Sequence, residues 1–583
     1  MRIRPAAGQA ASSATAPDSA ATTAVAANGT FPATTAPPNG APAPAPPAID
    51  VRADGYPREQ APQRTARALL GKTPGMLRTH WMASILIAAG VALRVLAQLA
   101  YHPAIIYIDT LKYLYDSWPG SDPVGYKVPL KLILVFGDLG TVEVVQHMLG
   151  IAIAIALYVV MIRRGVPRWL AALGIAPVLL DAYQIQAETM IMPDIWFEAL
   201  IVGGLVVLLW RPVPGMRVAL IGGALLGASP GVRQVGEVMI IPALIFVVAM
   251  GGGWRKVLQN AAAVTCGFAL ALLFYLSADY QLAGHFWISR SSVSLTYGRM
   301  ASVADCATLT LPKIERPLCP TKAQQAKGPD WLMHGANSPL RTYDLTLPAA
   351  YYGQRDQLVA KFNRAVEVQQ PLRVVSGILR DSVKLFALSR NTSPGDTPIV
   401  RWEFQRRFPT EQYGPWIRVR DHAIWLDVGS LQAPSLQQLK PAYGGAPQVD
   451  KPIATFLRYY QRHGGFTPGP LFALSLIVGL AGSVMAFLRR RRATAARPGA
   501  ARFAAARQTA IACVFFFATG FFIVGVSDLF EFTWRYQLPA TITLPPAGAL
   551  GAAAMIIAAR KRRDPVAADT VPGRAPELAA PAP

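Results

Sequence analysis

The chain has 583 residues, of which 52% are hydrophobic and only 15% are charged. Because so few charged residues cannot cover a soluble globule of this size, part of the protein surface must face hydrocarbon. The formal net charge of +23 could suggest nucleic acid, but Lys and Arg lie in clusters between apolar runs, which argues against that class and is typical of loops that stay in the cytoplasm.

Ten apolar runs are long enough, or nearly long enough, to cross a membrane, since a spanning helix needs about 20 mostly apolar residues. In chain order they are 81–100, 144–162, 169–180, 195–210, 218–228, 238–250, 261–279, 471–488, 510–526 and 538–559. The sequence therefore predicts an all-α polytopic membrane protein with about ten transmembrane helices. The range is eight to twelve, because the two short hairpins could be re-entrant.

Composition divides the chain into five parts. The two ends are rich in Ala and Pro and cannot bury a core, so they are predicted to be disordered cytoplasmic tails. The segment before the last three helices has aromatic residues, prolines and charges of both signs but no spanning run, which predicts a folded extracytoplasmic segment of mixed structure. The parts are 1–77 (tail), 78–280 (N-terminal bundle), 281–467 (extracytoplasmic segment), 468–563 (C-terminal helices) and 564–583 (tail).

This topology predicts a multi-pass protein of the cell membrane with both termini in the cytoplasm, because the helix count is even and the basic clusters lie inside. It also sorts the four cysteines. Cys306 and Cys319 fall in the extracytoplasmic segment, where disulfides persist, and are predicted to be bonded. Cys266 and Cys513 fall in apolar runs and are interpreted as packed or lipid-facing small residues.

The acidic residues of the first predicted outer loop include Asp109 and Asp116. Their positions differ by seven, so on a helix both carboxylates would lie on nearly the same face. This spacing makes them candidate site residues. The alternative is a solvated interfacial helix whose neighbouring tyrosines form part of an aromatic belt.

Further ionisable residues fall in three other predicted outer loops. Glu188 and Asp194 lie in the second, where Asp194 could also simply cap the next helix. Arg233 lies in the third, and Arg535 with Tyr536 lies in the last. Each Arg suits bidentate phosphate binding, but each could equally neutralise a nearby carboxylate or extend to lipid headgroups.

Together, the four loops would bring carboxylates and arginines to one membrane face. Such a site suits a substrate with a phosphate or diphosphate head and a lipid tail. The arginines would hold the anion, and an Asp would remove a proton from an acceptor hydroxyl.

These residues resemble those of the C-class (GT-C) glycosyltransferase superfamily, polytopic enzymes that use polyprenyl-phosphate sugars outside the cytoplasmic membrane. The resemblance covers roughly residues 80–300 and 470–560, and the richness in Ala, Gly, Pro and Arg is similar to that of actinobacterial members. Three motifs carry it: Tyr107-Ile108-Asp109 at the place of an essential Asp just beyond the first helix, Ala187-Glu188 in the acidic loop, and Arg535-Tyr536 followed by Gln537-Leu538-Pro539 at the start of the last helix.

The resemblance implies inversion at the sugar carbon with a carboxylate as base. The sequence departs from the superfamily in having Asp109-Thr110 instead of the common Asp-Asp or Asp-Glu pair, so a metal site is not carried over and the cofactor stays open, a divalent cation included.

The prediction is therefore a membrane glycosyltransferase that moves a sugar from a polyprenyl-phosphate donor to an extracytoplasmic acceptor in the cell envelope. Its predicted partners are the donor and membrane lipids, without nucleic acid. Asp109 would be the base, and the substrate-binding candidates would be Asp116, Glu188, Asp194, Arg233, Arg535 and Tyr536. The alternatives are a transporter or flippase of a lipid-linked sugar and a non-catalytic envelope assembly protein.

Overall fold

The computed structural model describes residues 78–559 except for 116–122, 285, 290–291, 352, 409–415, 421–422, 428–442, 446 and 491–499. The described residues belong to one compact unit. The two predicted tails and the orientation of the termini lie outside the described residues and stay predictions.

The described part of the chain is mostly helical. Its α-helices, in chain order, are α1 (Trp81–Ala100), α2 (Ile108–Tyr115), α3 (Lys127–Phe136), α4 (Leu139–Arg163), α5 (Arg168–Leu180), α6 (Ala182–Thr189), α7 (Asp194–Leu209), α8 (Met216–Ala228), α9 (Ile240–Met250), α10 (Trp254–Ala283), α11 (Ser292–Val303), α12 (Lys322–Gln325), α13 (Gly328–His334), α14 (Pro339–Thr346), α15 (Arg355–Gln369), α16 (Pro371–Val383), α17 (Lys451–Arg462), α18 (Gly469–Arg490), α19 (Ala500–Phe530) and α20 (Pro539–Ala559).

Short elements fill the connections. The 3₁₀ turns are Ser229–Gly231, Gln234–Met239, Arg316–Leu318, Ala349–Tyr351, Lys384–Phe386 and Ile399–Trp402. The strands are β1 (Tyr101–His102), β2 (Trp416–Arg420), β3 (Ala423–Asp427) and β4 (Gln448–Val449). β1 pairs with β4 and β2 pairs with β3, both antiparallel.

Among the described residues, six helices are long and apolar enough to cross a membrane, or seven if the bent pair α5 and α6 is one span. The six are α1, α4, α10, α18, α19 and α20. The predicted number of ten is not confirmed, because α7, α8 and α9 have 16, 13 and 11 residues. Two 3₁₀ turns, the first containing Pro230, separate α8 from α9, so these two short helices do not join into one longer apolar helix.

The break between α5 and α6 has an identifiable cause. Pro177 lies inside α5, and the Asp181 side chain accepts a hydrogen bond of 2.9 Å from the backbone N–H of Tyr183, which caps the start of α6. The two helices meet at 48°. The polar stretch that the sequence assigned to an outer loop is therefore helix α6, and it is buried along its whole length.

The predicted extracytoplasmic segment is mainly helical, with one β-hairpin. It has its own apolar cluster, built around Tyr297, Met300, Phe362 and Val366. Cys306 and Cys319 are bonded, with their Cα atoms 6.0 Å apart, which confirms the predicted disulfide.

Charged side chains fasten this segment to the helices. Arg390 binds both carboxylate oxygens of Asp181, at 3.2 and 2.6 Å. Arg299 pairs with Asp381 and donates to the backbone oxygen of Asp528, at 2.7 Å, near the end of α19. A buried charge without a partner destabilises the folded protein. These contacts therefore fix the segment against the helix ends.

Glycines allow α8 and α10 to pack at backbone distance. A Cβ atom at Gly223 would overlap the carbonyl of Val264, and one at Gly227 would overlap the carbonyl of Phe268. On the facing helix, a Cβ at Gly267 would overlap the carbonyl of Leu220. Small residues at such positions are typical of helix contacts in membranes, where close packing replaces the hydrophobic effect.

Candidate functional site

Four charged residues from four separate parts of the chain meet at one end of the helices. Asp109 lies in α2, Asp194 is the first residue of α7, Arg233 lies between two 3₁₀ turns, and Arg535 lies between α19 and α20. We call these four residues the ion-pair cluster. The end of α1 at Ala100 leads into this region, so we call this side the predicted outer side.

The cluster is centred on Asp194 and Arg535. Nε of Arg535 lies 3.1 Å from both carboxylate oxygens of Asp194, and Nη2 lies 2.8 Å from Oδ2. Arg233 donates through Nη1 to Oδ1 of the same carboxylate. Nη1 of Arg535 points instead to Asp109 and lies 3.4 Å from its Oδ2.

The two carboxylates of the cluster differ in their availability. Burial raises the pKa of Asp194, but the guanidinium groups of Arg233 and Arg535 outweigh burial, so the pKa is lowered and the carboxylate stays ionised. Its side chain is 6% exposed, whereas that of Asp109 is 25% exposed. Asp109 is therefore the carboxylate of the cluster that a substrate can reach.

Thr110 fixes the start of the helix that carries Asp109. It is fully buried, and its hydroxyl accepts from the backbone N–H of Tyr107 and donates to the backbone oxygen of Ile191, both at 3.0 Å. Ile105 forms a parallel β-bridge with Met190 just before this turn. The first loop is thus pinned to the chain between α6 and α7, and Asp109 is held close to Asp194.

Aromatic rings cover the arginines. The ring of Tyr536 lies 4.8 Å from Cζ of Arg233 and 5.7 Å from Cζ of Arg535. The Trp402 ring lies 5.3 Å from Cζ of Arg535 and 5.1 Å from the Tyr107 ring. Such rings stabilise a desolvated guanidinium through its cation–π attraction. Trp402 belongs to the segment whose fold the sequence left open, so sequence reasoning missed it.

The structure brings together five of the seven predicted site residues: Asp109, Asp194, Arg233, Arg535 and Tyr536. For Arg233 and Arg535 the structure favours the alternative in which an arginine neutralises a nearby carboxylate, because both pair with Asp194. Asp116 lies outside the described residues.

Glu188 lies apart from the cluster, buried between helices. Its carboxylate binds Nε and Nη2 of Arg94, both at 2.7 Å, and neither side chain is more than 3% exposed. Arg94 also donates to the backbone oxygens of Val178 and Leu179, at 3.0 Å each. An arginine inside the apolar run of α1 is itself a signal of a buried partner, and sequence reasoning did not use it.

The contacts of Glu188 continue through other ionisable side chains. Nδ1 of His147 lies 3.1 Å from Oε2 of Glu188, and Nε2 of His147 lies 3.3 Å from Glu143. On the other side, Gln184 donates to Glu198 at 2.8 Å and lies 3.4 Å from Glu188. We call this set, with Arg94, the buried network; it joins α1, α4, α6 and α7.

Glu531 is a further acidic residue near the ion-pair cluster, and the sequence analysis did not single it out. It is 8% exposed, and burial together with the charge of Asp330 raises its pKa to about 8. Arg401, Arg535 and Arg299 act in the opposite direction without cancelling the shift. The neutral carboxyl is therefore the form that the folded protein favours.

A cavity of 630 Å³ lies beside the cluster. It is bounded by the first loop, by the chain around Trp402 and by α17. Its lining comprises Tyr101, Ile105, Tyr107, Gln186, Met190, Val400, Arg401, Glu403, Gln405, Arg406, Arg407, Phe408 and Arg458. We call it the arginine cavity. Tyr107 connects it to the cluster, because its ring packs on Trp402, which faces Arg535.

Within the described residues, no group of three or more His, Cys, Asp or Glu side chains is arranged to hold a metal ion. Thr110, which follows Asp109 where the sequence departs from the superfamily it resembles, has a buried side chain.

No protein family model matches the sequence, and the comparison with curated proteins found no match. Among solved structures, the S. cerevisiae protein O-mannosyltransferase Pmt1-Pmt2 complex bound to the sugar donor is similar to this chain with a TM-score of 0.28 and 14% identity. The alignment covers 38% of this chain and 36% of that chain. A similarity this low does not establish a shared fold.

Proposed function

We propose that this protein is a membrane glycosyltransferase that moves a sugar from a polyprenyl-phosphate donor to an acceptor hydroxyl outside the cytoplasm. One observation carries the proposal: a partly exposed carboxylate, Asp109, is positioned by an ion-pair cluster that four separate chain segments build at one end of the helices. Because the supporting residues come from separate segments of the chain, the cluster holds the exposed carboxylate of Asp109 in a fixed position.

In the proposed reaction, the acceptor hydroxyl attacks the sugar carbon that carries the phosphate. Asp109 takes the hydroxyl proton, the new C–O bond forms, and the bond to the phosphate oxygen breaks with its electron pair leaving on the phosphate. Arg535, 3.4 Å from Asp109, favours the ionised carboxylate, which is the form that accepts a proton. Because attack and departure occur on opposite faces of the carbon, the sugar inverts.

The other site residues have supporting roles in this proposal. Asp194 uses both oxygens to hold Arg233 and Arg535, so it positions the guanidinium that faces Asp109. Tyr536 packs against both arginines. Glu188 binds Arg94 inside the bundle, and we assign it the role of fixing α1 and α6, the helices on either side of the first loop's anchor.

One observation favours a second candidate, a transporter of a lipid-linked sugar. The buried network places several ionisable side chains in hydrogen-bond contact inside apolar helices, and such chains relay protons in transporters. The two functions differ in their need for Asp109: a transporter moves its cargo without a catalytic base, whereas a transferase loses most of its rate without one.

The test measures transfer of radiolabelled sugar from a panel of polyprenyl-phosphate donors in membranes that contain equal amounts of each protein. Asp109→Asn keeps the size of the side chain and removes its basicity, so transfer should fall by about 10²- to 10⁴-fold. Asp356→Asn is the matched control, because Asp356 is an exposed acid at the start of α15. It should retain full activity.

Retention of full transfer by Asp109→Asn would refute the role of Asp109. If the wild-type protein transfers no sugar from any donor of the panel, transport or a non-catalytic role in envelope assembly becomes the better explanation.

A further inference from the structure

The arginines that the sequence assigned to the substrate phosphate are already paired. Both Arg233 and Arg535 donate to the carboxylate of Asp194. A phosphate bound there would have to compete with a buried carboxylate for the same N–H groups. The structure offers other guanidinium groups nearby, in the arginine cavity.

Most of the positive charge of this cavity is not neutralised by its one acidic residue. Glu403 is bound at short range by Arg462, with contacts of 3.0 and 2.7 Å, and only at 3.5 Å by Arg458. Nη1 of Arg458 instead donates to the side-chain oxygen of Gln405, at 2.7 Å. Arg406 and Arg407 are exposed, and neither makes an ion pair within the described part of the chain.

The cavity walls are apolar and aromatic on the side of the helices. Ile105, Tyr107 and Met190 are all buried and form this side with Tyr101, whose hydroxyl donates to the backbone oxygen of Gln405 at 2.7 Å. The volume of 630 Å³ falls in the range of about 300–1,000 Å³ that is usual for small-molecule sites. A lining that contains both arginines and apolar side chains suits a ligand with a phosphate and an apolar or aromatic part.

The geometry points to the arginine cavity as a binding site for the phosphate group of an amphiphilic phosphate ester, held by Arg406, Arg407 and Arg458. Its role in sugar transfer rests on the proposed function. Asp109 follows the cavity-lining Tyr107 by two residues, so the proposed phosphate site and the proposed base share the first loop. Arg233 and Arg535 then orient Asp109 and Asp194 instead of holding the phosphate.

The experiment measures equilibrium binding to the full-length protein in lipid nanodiscs. The probes are farnesyl phosphate, farnesol, glucose 1-phosphate and inorganic phosphate. They separate a lipid phosphate from a soluble sugar phosphate and from phosphate alone. Farnesyl phosphate should bind at least about tenfold more tightly than farnesol or inorganic phosphate, since each half of the ligand contributes.

The variant Arg406→Gln/Arg407→Gln removes two exposed charges and leaves the buried contacts intact. It should weaken farnesyl phosphate binding by about tenfold or more, the loss expected for charge-assisted hydrogen bonds, without changing farnesol binding. The control, Arg316→Gln/Arg364→Gln, removes two exposed arginines that lie in the part of the segment around the Tyr297 cluster. It should bind every probe as the wild type does.

Equal binding of farnesyl phosphate by the cavity variant and the wild type would overturn the proposal. So would an equal loss in the control variant, which would indicate a general effect of surface charge. Tighter binding of glucose 1-phosphate than of farnesyl phosphate would overturn the amphiphilic ligand. Binding is measured without turnover, so a protein that binds farnesyl phosphate through Arg406 and Arg407 but transfers no sugar would refute the proposed function alone.

Discussion

Replacing Glu188 by Gln tests whether the buried network stabilises the fold or contacts the substrate. The substitution keeps the shape of the side chain but leaves the Arg94 guanidinium, 3% exposed, without a charged partner. Breaking a buried ion pair from one side costs about 3–5 kcal/mol, because the remaining charge has neither water nor counter-charge. The upper part of that range applies here, since both contacts are 2.7 Å and the carboxylate is fully buried.

The double variant Arg94→Met/Glu188→Gln removes both charges and should recover most of the lost stability, because neutral replacements of a buried pair are often tolerated. The assay is the midpoint of thermal unfolding in detergent, followed by the fraction of protein that stays monodisperse after heating. Arg364→Gln, an exposed substitution, is the control. Equal melting midpoints of Glu188→Gln and the wild type would refute a stabilising role of the Arg94–Glu188 pair. So would a double variant that is no more stable than Glu188→Gln. Sugar transfer per folded molecule should be unchanged in Glu188→Gln, and its selective loss would place Glu188 at the substrate instead.

Three further predictions address other parts of the molecule. Burial raises the pKa of Glu531 to about 8 from an ordinary value near 4.5, so the contribution of its neutral carboxyl to stability is present below pH 4.5 and lost as the pH rises to 8. Glu531→Gln should therefore reduce this pH dependence of the unfolding midpoint. An unchanged pH profile would contradict the raised pKa of Glu531. Gly223→Leu should separate α8 from α10 and lower both the yield and the melting midpoint, whereas Gly215→Leu, where a Cβ meets nothing, should not. Cys306→Ser/Cys319→Ser opens the disulfide loop and should lose about 3 kcal/mol of stability, measured as a lower melting midpoint. A reducing agent should lower the melting midpoint of the wild type but not that of this variant.

The sequence predicted well what depends on apolar length and charge placement. The spans near 81–100, 471–488 and 538–559 match α1, α18 and α20 within a few residues, because each is a long and mostly apolar run. The disulfide was predictable because two cysteines lay in a segment without spanning helices. Assigning the loops of Asp109, Asp194, Arg233 and Arg535 to one side of the membrane predicted a shared face, but the contacts among the four residues come from the fold.

The remaining features could not be predicted from local pattern. The apolar runs assigned to α7, α8 and α9 agree with these helices within two residues, but hydropathy does not show whether such short helices cross the membrane. Glu188 was predicted to lie in a loop because its neighbours are polar. It is instead buried between helices, where it binds Arg94, 94 residues earlier in the chain. Trp402 and the arginine cavity come from the packing of the 281–467 segment, for which no periodicity gave a fold.

Thr110 shows how the structure explains a departure from the superfamily pattern. Its hydroxyl joins the N–H of Tyr107 to the backbone oxygen of Ile191, and its full burial directs it away from the face on which Asp109 is exposed. A second carboxylate at position 110 would therefore be buried without a cation instead of joining Asp109 around a metal ion. The chain uses position 110 to anchor the loop and uses Arg535, a fixed positive charge, beside the exposed carboxylate. In the proposed transferase, Arg535 is the cation next to the base, and the arginine cavity supplies the cations for the phosphate.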